Sequence, residues 1–370
     1  MTTRRLSGIH LARAIAVIVM LLSVQASFSQ NGQNDNIGGF IRNVTQFITQ
    51  NTHKILDKTE TVIEKYLDSK DSIYIMPNGY NFMVMPQYSY NFEYYRFSSK
   101  ETGQGITLMP RISSKIGFYA GWRWLFLGYS FNIDKGAPLW DINFSFYTSK
   151  LGIDLFYRKR DKGYRIRSTK GFDANAKEYF ETNKNFDGLT VRQKGINLYY
   201  IFNNKKFSYP AAYSQTTVQR ISAGSFILGI SYNEQSFNLD YTGFAQEIQE
   251  QLSPELKFAE VKYKDFGINF GYTYNWVFAR NCLANLSMTP SIGYKNTSLK
   301  MMDSKELFSN INIDLITRAA IVYNNGKYFA GVSMVSHTYT YSKETLSVLN
   351  GFGVINIYAG FNFWRKKKRD

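Results

Sequence analysis

Long hydrophobic runs, disulfide pairs and histidine clusters are all missing from this sequence. Its one cysteine, Cys282, cannot form an internal disulfide, and it lies too far from the start to be a lipid-attachment cysteine. The apolar run Ala14–Leu22 is shorter than the roughly 20 residues that a spanning helix needs, and no other stretch comes near that length. These absences exclude a helical membrane protein. Because no group of His, Cys and Asp has ligand spacing either, we expect no metal and no cofactor.

Residues 1–29 have the pattern of a cleaved secretory signal peptide. Three arginines precede the apolar run or lie at its start, and small residues then allow cleavage after Ala26 or after Ser29. Cleavage removes three of the 44 basic residues and none of the 28 acidic ones, which leaves a net charge of +13. This excess favours anionic lipid headgroups, lipopolysaccharide or an anionic small solute as partners. Nucleic acid is not expected, because an exported chain seldom meets it.

Two segments of different character follow the signal peptide. Residues 30–39 are polar and rich in Gly and Asn without any periodicity, which predicts a disordered linker. Residues 40–72 place apolar side chains at helical spacing, which predicts an amphipathic helical lead-in. This lead-in is expected either to lie against a barrel rim in the periplasm or to enter the lumen as a plug.

Composition and periodicity favour strands over the rest of the chain. Aromatic residues reach 17%, with 28 Tyr and 29 Phe, while the mean hydropathy is only -0.30. From residue 80 to 364 apolar and polar side chains alternate, most clearly in Asp265–Trp276 and in the final strand Phe352–Trp364. One strand of this kind also fits a soluble β-sandwich, but the repetition favours an all-β, transmembrane, antiparallel up-and-down β-barrel of about twelve strands.

The lengths of the connections support the barrel rather than the sandwich. Short turns, such as those near Ser149–Lys150, Asn203–Lys206 and Asn324–Lys327, alternate with longer loops, such as Asp161–Asp187, Asn233–Val261 and Asn296–Glu306. Outer-membrane barrels of Gram-negative bacteria have short periplasmic turns and long extracellular loops. We therefore expect a location in the cell outer membrane with both mature termini in the periplasm, including a basic tail at residues 365–370.

One stretch interrupts the alternation. Pro210 and its neighbours in residues 205–220 predict either a kinked strand start or a segment that folds inward. Together with the helical lead-in and the order of strands, the stretch Tyr209–Gly229 (YPAAYSQTTVQRISAGSFILG) resembles an uncharacterised family, domain of unknown function 4421. The resemblance covers residues 55–364 and implies an outer-membrane barrel. It implies no activity and no catalytic residues.

Charged residues of both signs fall on the polar side of the predicted strands. Inside a barrel they would pair, because an unpaired buried charge is costly. They form either a structural network that fills the lumen or a pocket for an anionic solute with Arg111, Lys115 and Arg318 as ligands. The candidates for this lumen network are Glu93, Arg111, Lys115, Asp154, Arg158, Asp265, Asp314 and Arg318.

His337 is the candidate for catalysis. Outer-membrane lipid hydrolases pair a His with a Ser, but period two places His337 on one face with Val335 and Tyr339, while Ser336 points the other way. We therefore expect a non-enzymatic monomer that acts as a scaffold, a ligand-binding barrel or a narrow channel, and that is inserted by the barrel-assembly machinery. The alternative is a lipid-modifying hydrolase that uses His337.

Overall fold

The structure is a computed structural model that describes residues 70–365, except 112, 123–124, 135–139, 183–184, 302–304 and 343–344. The predicted signal peptide, the linker and all but residues 70–72 of the helical lead-in lie outside the described residues, as do residues 366–370 of the basic tail. The described part of the chain therefore contains nearly all of the region in which alternation predicts strands, residues 80–364.

Strands dominate the described chain, as the alternation predicts, and the helices are short. No described helix has both the length and the apolar character to cross a membrane. The helices are α1 (Ala174–Thr182), α2 (Tyr209–Tyr213) and α3 (Gln246–Gln251), with 3-10 turns at Tyr241–Gly243 and Pro254–Leu256. The strands are β1 (Ile75–Pro77), β2 (Tyr80–Ser99), β3 (Gly105–Pro110), β4 (Ser113–Trp122), β5 (Leu125–Asn132), β6 (Trp140–Tyr147), β7 (Leu151–Arg160), β8 (Tyr164–Lys170), β9 (Asn185–Phe186), β10 (Leu189–Ile201), β11 (Thr217–Gln219), β12 (Ala223–Leu239), β13 (Glu260–Ala279), β14 (Cys282–Lys300), β15 (Lys305–Asn324), β16 (Tyr328–Ser342) and β17 (Leu346–Arg365).

Fifteen strands form one antiparallel sheet in the described chain, and β1 pairs separately with β11. The predicted all-β, antiparallel up-and-down fold is confirmed, but the prediction of about twelve strands is too low. The segment 106–119, which alternation predicts as one strand, is broken into β3 and β4, and the predicted loop 161–187 contains β8 and β9. Strands β3, β8 and β9 form a side extension on β2. The other twelve strands pair in chain order, except that no pairing joins β5 to β6 among the described residues, and β17 returns to pair with β2.

Short connections lie at one end of the sheet, which we call the short-turn end, and most long ones lie at the other, the long-loop end. At the short-turn end Asn281 adopts a φ of 62° in the tight turn between β13 and β14, a conformation that Asn tolerates. The start of β2 and the end of β17 lie at this end. One predicted short turn, near 203–206, is instead the long connection 202–222, which contains α2 and β11.

The sheet curls until its two end strands approach each other. Within the described residues the path ends at β5 on one side and at β6 on the other, and no backbone pairing joins them. Side chains cross this seam, because Lys115 on β4 lies 3.6 Å from Asp141 on β6. Farther in, Arg158 on β7 lies 3.4 Å from Glu93 on β2. Such contacts require a concave interior, which we call the lumen.

The outer face of the sheet is apolar. Ile230, Ile268, Ile292 and Ile313 are cross-strand neighbours on four successive strands, and each is 61 to 64% exposed. On β13 exposed apolar side chains recur from Phe266 to Phe278. This run is about 40 Å long, or about 30 Å along the axis at a strand tilt of ~40°. The apolar band of a transmembrane barrel is about 25 Å tall.

Candidate functional site

The lumen is filled by ion pairs, beginning with a group that we call the seam cluster: Glu93, Lys115, Asp141, Arg158 and Arg160. Glu93 is 3% exposed, and its Oε1 lies 3.4 Å from Arg158 and 3.3 Å from Arg160. Asp141 lies 3.4 Å from Arg158 Nε and 3.6 Å from Lys115. The carboxylates thus hold buried cations from β4 and β7 against β2 and β6, which fixes the two sides of the seam.

Arg318 on β15 forms a second buried pair with Asp154 on β7, which lies opposite in the lumen. Tyr147 OH donates to Asp154 at 2.8 Å and accepts from Arg318 at 2.9 Å. Ser145 donates to the same carboxylate at 2.6 Å. The guanidinium also lies over the Tyr199 ring, 5.7 Å from its centroid. The pair is therefore hydrogen-bonded as well as charged, which is what a buried ion pair needs.

A third group, the Lys295 cluster, consists of Asp265, Lys295 and Asp314. Lys295 is fully buried, and its ammonium donates to Asp314 at 2.8 Å and to the Thr340 carbonyl oxygen at 2.8 Å. Asp265 accepts from Asn233 at 3.4 Å. Gly293 leaves room for Asp265, because a Cβ there would overlap the carboxylate.

Neutral side chains fill the lumen next to these ions. Gln235 Oε1 accepts from Gln193, Tyr263 and Asn350, each at 2.9 Å. Tyr263 OH also interacts with Asn350 Oδ1 at 2.9 Å. These residues come from β10, β12, β13 and β17, so this group ties opposite walls together.

Among the described residues, the charges of the lumen balance as a whole but not locally. The buried cations Lys115, Arg158, Arg160, Lys295 and Arg318 equal in number the carboxylates Glu93, Asp141, Asp154, Asp265 and Asp314. The seam cluster and the Arg318 pair together have one cation more than carboxylates, whereas the Lys295 cluster has one carboxylate more. A balanced interior is typical of a structural network rather than of a path for one sign of charge.

A cavity of about 170 Å³ remains beside the seam cluster, lined by Asn91, Asp154, Arg158, Arg318 and His337 among others. Arg158 is 3% exposed, and within the described residues its Nη1 has no hydrogen-bond partner. A space of this size can hold a few waters or one small ligand. The cavity therefore combines an empty volume with a cationic donor that a ligand could use.

At the short-turn end α2 and the residues around it, which we call the plug, fold into the lumen. Ser208 caps α2, and its carbonyl oxygen accepts from Asn275 at 2.8 Å. Tyr209 hydrogen-bonds Ser287 at 3.1 Å, and Tyr213 donates to Asn285 at 2.6 Å. Burial raises the pKa of the Tyr209 phenol despite the opposing effect of Arg318, so the phenol stays neutral. Of the two predictions for residues 205–220, the inward-folding segment is confirmed.

At the long-loop end the connections fold into an apolar core that we call the cap. Phe244, from the connection 240–259, stacks on Phe186 with centroids 4.5 Å apart and meets Phe180 edge-on at 5.8 Å. Phe258 packs on Phe97 at 5.2 Å. Polar contacts hold the loops together, since Gln104 donates to the Gln251 carbonyl oxygen at 2.9 Å. The cap therefore has a buried hydrophobic core that includes residues of the connections and of the adjoining strands.

His337 points into the lumen, where aromatic rings surround it. Its ring stacks on Phe352 with centroids 5.0 Å apart, lies 5.3 Å from Phe156 and stacks on Tyr339 at 6.2 Å. Its Nδ1 lies 3.4 Å from Tyr339 OH. The side chain is 6% exposed, so it presents no nucleophile–base pair to the lipid-facing surface.

The structure brings most of the sequence-predicted lumen residues together, but Arg111 is not among them. Arg111 is exposed and donates to Asn185 at 3.1 Å, because the strand breaks between β3 and β4 and the alternation does not carry through. Its predicted lumen position is therefore wrong. Sequence reasoning missed Asp141, Arg160 and Lys295. Continued alternation from Arg158 to Arg160 and from Ser291 to Lys295 was the signal for the two cations.

Over the part of the chain that the structure describes, no group of three or more His, Cys, Asp or Glu is placed to hold a metal ion.

Residues 69–363 match a protein-family model described as "Domain of unknown function (DUF4421)". Among solved structures, the chain is similar to outer membrane protease OmpT from Escherichia coli, with 9% identity, 80% of this chain and 100% of that chain covered, and a TM-score of 0.38. It is similar to Ail of Yersinia pestis, in complex with the heparin analogue sucrose octasulfate, at 8% identity, 75% and 98% coverage and a TM-score of 0.24. It is also similar to the outer membrane protein OprG of Pseudomonas aeruginosa, with 11% identity, 78% of this chain and 98% of that chain covered, and a TM-score of 0.24. No curated protein matches the chain. Likenesses of this size carry no argument about function.

Proposed function

The chain belongs to the family described as Domain of unknown function (DUF4421), and we propose that it is a non-enzymatic outer-membrane β-barrel that conducts no solute. Its role is that of a scaffold, which holds the folded cap at the outer surface of the membrane. The observation that carries this proposal is the occupation of the lumen along its length by the plug, the charged clusters and the cap. A channel needs a continuous wet path, and these packed layers leave little room for one.

Location and orientation rest on the outer face of the sheet. A band of exposed aliphatic and aromatic side chains is costly in water but suits a hydrocarbon layer. The long-loop end is assigned to the outside and both ends of the mature chain to the periplasm, in keeping with the usual asymmetry of such barrels. Insertion by the barrel-assembly machinery and a monomeric state belong to the same proposal.

Planar-bilayer recording tests the occlusion. The purified protein is reconstituted into vesicles, its insertion is verified by flotation, and the vesicles are fused with a planar bilayer, with a trimeric porin in matched vesicles as the control for fusion. We expect the porin to give conductance steps and this protein to give none. Reproducible steps from verified insertions would contradict the proposal.

A ligand-binding barrel is the second candidate, because the cavity beside the seam cluster is lined by Arg158, whose Nη1 has no hydrogen-bond partner among the described residues. Its ligand would be a small anion such as phosphate or a short carboxylate, which a guanidinium binds well. Calorimetric titration of phosphate and acetate tests this candidate. Arg158→Gln should abolish any binding, whereas Arg111→Gln, which removes the same charge outside the lumen, should not. Absence of binding to the unmodified protein removes this candidate.

The alternative of a lipid-modifying hydrolase gains no support from His337, whose ring lies among Phe156, Tyr339 and Phe352. A general base must reach the proton that it removes. Replacing His337 by Ala and assaying phospholipid hydrolysis tests the alternative. Loss of a measurable hydrolytic activity in this variant would favour the hydrolase over the scaffold.

A further inference from the structure

Four cations lie together on the outer face of the sheet near its long-loop end, and we call them the rim patch: Arg192 and Lys194 on β10, and Lys262 and Lys264 on β13. All point away from the lumen, because their neighbours Val191, Gln193, Val261 and Tyr263 are the buried residues of the alternation. Strand β12 lies between β10 and β13 and pairs Glu234 with both Lys194 and Lys264. The cations therefore occupy an area of about 10 Å by 7 Å, two strand spacings by one side-chain repeat.

Glu234 organises the patch without neutralising it. Its carboxylate lies 3.1 Å from Lys194 and 3.2 Å from Lys262. The rim patch thus has four cations around one carboxylate, and Arg192 and Lys264 have no ion pair among the described contacts. The neighbouring Glu260 accepts from Ser236 at 3.1 Å and lies opposite Lys300. A clear positive excess remains on this part of the surface.

Apolar side chains begin directly next to the rim patch on the same face. Ile196, Tyr232 and Phe266 are cross-strand neighbours one side-chain repeat closer to the middle of the sheet. The Tyr232 and Phe266 rings lie 4.8 Å apart, and Tyr232 OH approaches Glu234 at 3.4 Å. The surface therefore changes from apolar to cationic within one repeat. Such a surface is complementary to a molecule that has a fatty chain attached to an anionic head.

We propose that the rim patch binds the phosphate groups of a phosphorylated glycolipid of the lipid A type, with an acyl chain along Ile196, Tyr232 and Phe266. This inference rests on the proposed function, which places the long-loop end at the outer leaflet. Phosphate accepts charge-assisted hydrogen bonds from Lys and Arg, and the spread of the four cations suits a head with more than one phosphate. A soluble anion would not use the apolar row, and a soluble protein or a nucleic acid would not reach a surface at lipid level.

The test compares two double variants with the unmodified protein in lipid nanodiscs. Arg192→Gln with Lys264→Gln removes two cations of the patch and leaves the bridge of Glu234 to Lys194 and Lys262 intact. Lys205→Gln with Arg280→Gln removes the same charge from exposed positions at the short-turn end. Native mass spectrometry measures the apparent affinity for diphosphoryl lipid A, for phosphatidylglycerol and for inorganic phosphate.

We expect the rim-patch variant to lose at least about tenfold in lipid A affinity, since it lacks two of the four basic residues that attract the anionic head. The control variant should keep its affinity, and phosphatidylglycerol and inorganic phosphate should respond far less to the rim-patch substitutions. Equal losses in both variants, equal losses for phosphatidylglycerol or for inorganic phosphate, or no loss would each overturn the proposal. Failure of the unmodified protein to enter nanodiscs would contradict the proposed function instead.

Discussion

Arg158 illustrates how charged side chains are kept inside this sheet. It reaches Glu93 across the lumen and Asp141 on the neighbouring strand, and its guanidinium lies over the Phe352 ring, 4.6 Å from the centroid. Removing one partner of a buried pair leaves the other charge uncompensated, which costs more than the pair itself contributes. Each residue of the seam cluster is therefore needed to compensate the charge of its buried partners.

Glu93→Gln should strongly destabilise the protein, because Glu93 faces both Arg158 and Arg160. We expect the free energy of unfolding to fall by about 3 to 5 kcal/mol. Urea unfolding in phospholipid vesicles, followed by tryptophan fluorescence, gives the value. The control is Glu101→Gln, an exposed loop position. A loss at Glu93 no larger than that at Glu101 would show that the seam cluster contributes no net stability.

Asp154 and Arg318 should be strongly coupled, since each is the other's buried partner. Asp154→Asn and Arg318→Gln are each expected to cost about 3 kcal/mol or more, because each leaves a charge behind. The double variant removes both charges and should cost less than the sum of the single losses by at least about 1 kcal/mol. The same unfolding assay completes the cycle. Additive losses would mean that the two residues act independently.

At the scale of elements, local signals predicted the plug better than the cap. Pro210 breaks the alternation and occupies the first turn of α2, where its missing N–H matters least, so the inward segment could be recognised. The cap depends on pairing between β3 and β8, which are far apart in the chain, and on helices of only a few turns. Neither feature produces a long run of regularly spaced apolar residues in the sequence. For this reason residues 161–187 were predicted as a loop, although they contain β8 and β9.

Phe244→Ala should loosen the cap and leave the rest of the sheet folded. Phe244 is 4% exposed and contacts Phe180 and Phe186, so truncation removes the centre of the apolar core. A buried Phe→Ala change costs about 3 to 5 kcal/mol. We expect trypsin to cut near Lys257 markedly faster, with the strands still protected. Glu247→Ala, exposed on α3, is the matched control. Equal cleavage rates for the two variants would refute a cap held by this core.

At the scale of the whole molecule, the alternation of apolar and polar residues along single strands predicted the sheet. The number of strands and the pairing of the end strands depend on contacts between strands, and the pattern of one strand does not contain this information. The outward and inward faces of β13 could be assigned from sequence, because apolar side chains that face lipid alternate with polar side chains that face the lumen. Lys295 was missed because it comes directly before the predicted loop 296–306, whereas pairing with β15 extends β14 to Lys300. The seam between β5 and β6 is bridged by Lys115 and Asp141, a contact that sequence spacing does not encode.

Depth-dependent fluorescence quenching on β13 tests the central claim, a sheet that crosses a membrane with its apolar face in lipid. In a Cys282→Ser background, single cysteines at Lys264, Tyr272 and Phe278 receive a small fluorophore, and the protein is folded into vesicles with lipid brominated in mid-chain. The account predicts strong quenching at Tyr272, weaker quenching at Phe278 and the weakest at Lys264. Uniformly weak quenching at all three positions would contradict it.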